Sequence, residues 1–397
     1  MEQQEKGYRS LGGKYVCKNC IGNEFIKNYI KEHCQESYCD YCERESDELI
    51  AADMDDVLDF ILDGINSEWD HPIRCMTYDE EWIGFTKDSY DLIRFELADE
   101  LNINNEQLIE DIISAFIDNE WCERNPYSER DFERDYYNWE QFVNLVKYRV
   151  RYVFYRSQDY NQEFTDYESI EPSKILDRIG SITNTLGLIK PLPVNTIFFR
   201  VRVHKKNERF LTVEELGPPP NDKTKSNRMS PAGIVMFYGA SDKKTALLET
   251  CNNSKKRVYA TIAMFKTLRE LNVVNLTNIP NIPSLFDKEQ NYLRNAIIFL
   301  QSFLDDITKP VVHDGMEHID YVPTQIVTEY FRYIFSTTFG IQVNGIIYPS
   351  SRNTRGQASV LFLDNSKCTQ DNRQESNDDE KWLCLLTKSI ETLKVHI

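Results

Sequence analysis

Four cysteines near the start of the chain stand in a metal-binding pattern: Cys17-Lys-Asn-Cys20 and, after 18 intervening residues, Cys39-Asp-Tyr-Cys42. Each Cys-x-x-Cys knuckle presents two thiolates from one turn, and two knuckles at this separation close a tetrahedral zinc site with no open position. The expectation is a structural zinc that folds the region rather than catalyses. His33 and Cys34 lie between the knuckles as alternate ligands, and a set of buried free thiols is the plainer reading. A thioredoxin-like exchange role is weaker, because no βαβ pattern surrounds either pair.

A second group of residues points to chemistry on a sugar phosphate. Phe198-Phe199-Arg200-Val201-Arg202 places two arginines on an expected strand, and Arg228 follows a Pro-rich loop. Tyr238 lies near the end of the apolar run Ile234–Ala240, and Glu249 sits on the helix expected after Ser241, its N-cap. Cations can hold a pyrophosphate, an aromatic face can take a flat heterocycle, and a carboxylate can stabilise an oxocarbenium-like ribose. Taken singly, each residue has a plainer role: a strand arginine as a surface ion-pair partner, Tyr238 as core, Glu249 as a solvated helix charge. The ordered set is what favours a site.

Over roughly residues 195–365 these motifs resemble the RES domain family, whose members look like compact relatives of ADP-ribosyltransferases and act on NAD. Arg200 matches the early Arg, Arg228 the Arg before a Pro-Gly turn, Tyr238 the strand Tyr and Glu249 the Glu of the following helix; Gly345-Ile-Ile-Tyr-Pro-Ser350 supplies the Ser. Tyr321-Val-Pro-Thr-Gln325 and Val360-Leu-Phe362 complete the likeness. The loop before Arg228 is long, Arg202 competes with Arg200, and Ser351 adjoins Ser350. The resemblance implies arginines on the phosphates, Tyr238 near the nicotinamide ribose, Glu249 on the ribose hydroxyls, and Ser350 orienting a hydroxyl or the acceptor. NAD would be the substrate, in a toxin-like glycohydrolase or phosphorylase. An ADP-ribosyltransferase with a protein acceptor is the alternative, and a zinc-dependent binding module without activity is the third reading. A cognate antitoxin is a further expected partner.

The elements that must position these groups divide the chain. Apolar residues at helical spacing in 47–65, 104–117, 138–154 and 173–189 predict helices in the first half. Short β-rich runs at 194–203, 234–240, 258–265, 273–276, 345–348 and 360–363 predict strands in the second. The expected fold is α+β: a four-cysteine zinc-binding segment (1–46), an acidic helical domain (47–190), a catalytic β-core with flanking helices (191–366), then a linker and a final helix over 380–395. A Cys-rich start and acidic helices ahead of such a core resemble the HEPN/RES N-terminal domain family. HEPN ribonucleases place an Arg ahead of a His, with four to six residues between the two. None of the six histidines has such an Arg, so a ribonuclease is disfavoured and a regulatory or sensing role for this part is expected.

The net charge of −18 is concentrated in residues 51–150, which hold 26 Asp/Glu against 8 Lys/Arg. That block repels nucleic acid. Residues 201–300 instead hold 16 Lys/Arg against 9 Asp/Glu, a positive potential suited to a phosphorylated small molecule. No apolar stretch is long enough to span a membrane and no signal-like segment opens the sequence, so a cytoplasmic protein is expected.

Overall fold

The acidic segment after Asp47 becomes helical only from Met54, because Asp53 caps the helix: its carboxylate accepts the Asp55 N–H at 2.8 Å, leaving Ala51–Asp53 extended. The structure is a computed structural model describing residues 7–117, 119–124, 131–156, 172–206, 208–251, 257–310, 316–371 and 380–396. It divides into two units, Met1–Glu133 with Asn281–Ala296, and Arg134–Pro280 with Ile297–Ile397.

In the first unit β1 (Tyr15–Cys17) pairs antiparallel with β2 (Ala51–Asp53). Helices α1 (Glu24–Glu32), α2 (Met54–Ile65) and α3 (Glu106–Ala115) supply Ile26 and Ile30, Val57 and Ile61, and Leu108 and Ile112 to one core. Asp56, Asp59 and Asp63 remain exposed on the opposite face of α2, as the 3.6-residue period requires. The core is completed from much later in the chain: Leu285 and Phe286 are buried in it. Phe286 lies against Gly64, where a Cβ would stand 2.3 Å from the ring, so only glycine admits the contact.

Most of α4 (Asp131–Tyr148) and all of α5 (Pro172–Thr185) belong to the second unit. Its nine-stranded sheet comprises β3 (Ile189–Leu192), β4 (Ile197–His204), β5 (Phe237–Ala240), β6 (Arg257–Thr267), β7 (Leu271–Asn275), β8 (Gly345–Pro349), β9 (Gln357–Leu361), β10 (Cys368–Gln370) and β11 (Leu383–His396). The order is β10-β11-β6-β4-β5-β9-β8-β7-β3, antiparallel except for β7 with β8 and β10 with β11. Phe198, Phe237, Phe265 and Leu361 bury one cluster on the sheet, and Val201, Ala240, Ala260 and Ile262 bury another with Ala246 of α6 (Lys243–Thr250). Helices α7 (Arg294–Thr308) and α8 (Val322–Glu329) follow. The α+β class is as expected. No described helix is long and apolar enough to cross a membrane.

Two elements differ from the expectation. The final segment is not a helix but the long strand β11, paired with β6 from Arg257↔His396 to Thr267↔Leu383. Its register jumps between Ile262↔Glu391 and Met264↔Leu386, and this irregularity shifts the two-residue alternation out of phase, which imitates a helical spacing. Likewise α5 stops at Thr185 and Ile189–Leu192 is a strand; Pro191 is accommodated because β3 is the sheet edge.

Phe265 is fully buried, its ring centroid 5.0 Å from that of Phe237. Phe265→Ala is expected to lower the unfolding free energy by about 3–5 kcal/mol, measured by denaturant titration of the second unit's transition.

Candidate functional site

The four knuckle cysteines converge. Cys17 Sγ lies 3.8 Å from Cys20 Sγ and 3.5 Å from Cys42 Sγ, and Cys20 Sγ lies 3.7 Å from Cys39 Sγ; all four fall within 4.8 Å of one another. A tetrahedron with metal–sulfur bonds of about 2.3 Å has edges of about 3.8 Å, so the sulfurs could hold a metal such as zinc. The Cys17 N–H donates to Cys39 Sγ at 3.3 Å, an interaction that favours a thiolate. The alternate ligands are occupied elsewhere: His33 Nδ1 contacts the Tyr29 carbonyl at 2.8 Å and its ring stacks on Tyr29, while Cys34 Sγ donates to the Ile30 carbonyl.

In the second unit a cavity of about 390 Å³ opens beside β4, β5 and α6, within the size range of ligand pockets. Its described lining includes Arg200, Arg202, Lys225, Arg228 and Arg352, with Glu249 as the one carboxylate, and the rings of Tyr238, Tyr321 and Tyr348. The excess of cations selects for an anion.

The two strand arginines have different tasks. Arg200 is buried and donates from Nε to the Leu216 carbonyl (2.7 Å), from Nη1 to that of Tyr238 (2.5 Å) and from Nη2 to that of Gly217 (3.3 Å). Its guanidinium lies 4.9 Å from the Phe237 ring centroid. Burial, and then the charge of Arg202, push its pKa down to about 9, which leaves it cationic at neutral pH. Arg202 gives only Nη2 to the Gly217 carbonyl, at 2.7 Å, and its buried Nε has no partner among the described residues. Arg202 therefore has hydrogen-bonding capacity that the backbone around it does not use.

Arg228 closes the C-terminal end of α7, donating to the carbonyls of Ile307 (2.5 Å) and Lys309 (2.7 Å) and lying 5.7 Å from the Tyr321 ring centroid. Helix α8 fixes the Arg228 loop from beneath: Thr324 Oγ1 donates to the Arg228 carbonyl at 2.6 Å and Gln325 Nε2 to that of Asn227 at 2.8 Å. Tyr238 shares a hydrogen bond with Ser230 Oγ at 2.8 Å. Burial raises the pKa of Tyr238, Tyr321 and Tyr348, so all three remain neutral phenols.

Glu249 is exposed on the last turn of α6 and accepts a hydrogen bond from Ser350 Oγ. Ser350 is buried, and its Oγ also accepts the N–H groups of Arg352 (3.2 Å) and Asn353 (3.1 Å). With both N–H groups occupying its lone pairs, the hydroxyl proton is directed at the carboxylate. Ser351, not Ser350, lines the cavity. The N-cap of α6 is Asp242 rather than Ser241, because the Asp242 carboxylate reaches the Thr245 N–H at 2.9 Å, whereas Ser241 Oγ accepts from the Gln357 N–H. Thr245 in turn accepts from Asn353 Nδ2 at 2.7 Å. A Cβ at Gly356 would stand 2.0 Å from Thr245 Oγ1, so glycine is required where this loop crosses α6.

Residues 32–160 match the family model of the HEPN/RES N-terminal domain 1, and residues 197–385 match that of the RES domain. The chain carries a RES domain behind a HEPN/RES N-terminal domain. No curated protein and no solved structure was found to match it.

The RES domain thus brings Arg200, Arg202, Arg228, Tyr238 and Glu249 to one cavity, with Ser350 directly behind Glu249. Sequence reasoning did not single out Tyr321, Tyr348, Lys225 or Arg352 as lining residues. Tyr321 and Tyr348 lie within the very motifs that carry the family likeness, and that was the available signal. The unequal roles of the arginines give a paired test. Arg200→Met should cost about 3 kcal/mol or more of stability by stranding inward-facing carbonyls, read by denaturant unfolding. Arg202→Met should leave the midpoint nearly unchanged; an equal loss in both would contradict the division.

Proposed function

We propose that this cavity binds NAD and cleaves its nicotinamide–ribose bond, making the protein a toxin-like NAD glycohydrolase or phosphorylase. The supporting observation is Glu249 as the lone described carboxylate facing a pocket of five cations and three tyrosines. Arg202, Arg228, Lys225 and Arg352 suit the pyrophosphate, and the tyrosines suit flat rings and ribose hydroxyls. When the C1–N bond of the nicotinamide ribose breaks, its electron pair leaves with neutral nicotinamide and positive charge develops on the ribose. Glu249 is the group able to stabilise that charge. The Ser350 proton holds the carboxylate in place. Water or phosphate then adds to C1 and releases a proton, giving ADP-ribose or its 1″-phosphate.

The test is product analysis after incubating the full chain with NAD, with and without phosphate. Free nicotinamide with ADP-ribose or ADP-ribose 1″-phosphate is expected, and label transferred to protein would instead favour the transferase reading. Glu249→Gln keeps an acceptor for Ser350 but removes the charge, and turnover should fall roughly 100-fold or more. Turnover equal to that of the parent chain would end the proposal.

The same reading makes the four-cysteine cluster a structural zinc centre held by Cys17, Cys20, Cys39 and Cys42, and gives the N-terminal unit a regulatory rather than a chemical role. Purified protein should hold one zinc per chain, and Cys39→Ser should lose both the zinc and cooperative unfolding of the first unit. Metal analysis well below one equivalent in the intact chain would remove the zinc assignment.

A further inference from the structure

Residues Asn281–Ala296 fall inside the stretch that matches the RES domain, yet they belong to the first unit. Their anchorage there is dense. Leu285 and Phe286 are buried in its core, Asn23 Nδ2 donates to Ser284 Oγ at 2.9 Å, and Arg294 pairs with Glu68 at 2.8 Å and Glu100 at 2.6 Å. The Arg294 side chain is only 13% exposed, which shields these pairs from solvent screening.

The anchor abuts the cysteine cluster. Immediately after Cys20, Ile21 bridges to Ile103, the Gly22 N–H donates to the Asn102 carbonyl at 2.7 Å, and the Asn23 N–H donates to that of Leu101 at 3.3 Å. A Cβ at Gly22 would stand 2.3 Å from the Asn102 side chain, so the two segments are in the closest contact a backbone allows. Asn23 is the hub: besides Ser284, its amide donates to the Glu100 carbonyl at 2.7 Å, and Glu100 is the residue whose carboxylate holds Arg294. Fixing the first knuckle therefore fixes Asn23, and with it both grips on the 281–296 segment.

From Arg294 the chain continues without a break as α7, and the carbonyls of Ile307 in its last turn and of Lys309 just past its end hold the two terminal nitrogens of Arg228. We propose that residues 281–296 are a positioning tether: metal at the four cysteines holds Asn23 and Glu100, these hold Ser284 and Arg294, and the anchored α7 presents the carbonyls that orient Arg228 in the RES pocket. Loss of the metal slackens this series and loosens the hold of α7 on Arg228, and with it one of the supports of the loop. The proposal concerns the chain alone and holds whatever molecule the pocket takes.

Hydrogen–deuterium exchange on the full chain, zinc-loaded against chelator-treated, tests it without any nucleotide. Metal removal should speed exchange by about tenfold or more not only in 15–45 and 284–296 but also at the end of α7 (304–309) and in the Arg228 loop (226–230). Acceleration confined to the first unit overturns the proposal. In the zinc-loaded chain, Arg294→Gln should still bind one zinc yet loosen 304–309 and 226–230, and Arg294→Lys should restore part of that protection. Unchanged protection in Arg294→Gln overturns the tether as well. If that variant does not fold, Ser284→Ala removes a single anchor and should give the same pattern more weakly; no change at 304–309 there counts equally against it.

Discussion

A guanidinium buried under a β-sheet must be satisfied by the chain around it, and Arg200 meets that constraint with backbone alone. Its donors join β4 to the Leu216–Gly217 turn and to Tyr238 of β5, and its face rests on Phe237. The Tyr238 carbonyl is thereby turned toward Arg200, and its hydroxyl meets Ser230 on the Arg228 loop. One buried cation thus sets the relation between a strand, a turn and a loop, and the cavity is the space they leave.

The way the cations are held explains why the pocket stays positive inside an acidic protein. Arg200 and Arg228 are fixed by neutral carbonyls rather than by carboxylates. Their geometry is defined while their charge is not cancelled. Elsewhere the opposite holds: Arg94 is paired with Glu106 and Glu110, Arg178 with Asp135, and Arg294 with two glutamates. These structural arginines outside the pocket are neutralised, and those two within it are not.

The parts legible in the sequence were those governed by local spacing. The Cys-x-x-Cys pairs converge because each knuckle is one turn, and the runs around Phe199, Phe265 and Ile346 become strands because their β-branched and aromatic residues pack on a sheet. What stayed hidden depends on which groups meet across the fold. Arg200 and Arg202 are equivalent in sequence and separate only through the carbonyls near each. Ser350 and Ser351 separate only through the loop N–H groups that claim the first. The final strand was obscured by a register jump that only its pairing with β6 reveals, and nothing in residues 281–296 announces that Phe286 fills a space beside Gly64.

That last placement has a consequence for synthesis. Chains emerge from the ribosome from the N-terminus onward at about 5–20 residues per second, and the first unit's core waits for Leu285 and Phe286. Nearly 150 residues separate Glu133 from that segment, an interval on the order of 10–30 s at those rates. During it the cysteine knuckles and acidic helices exist with a gap in their core, while the strands β3 to β7 are already outside. The last piece of the earlier unit is thus delivered by the later one, so a nascent chain truncated before residue 286 completes neither.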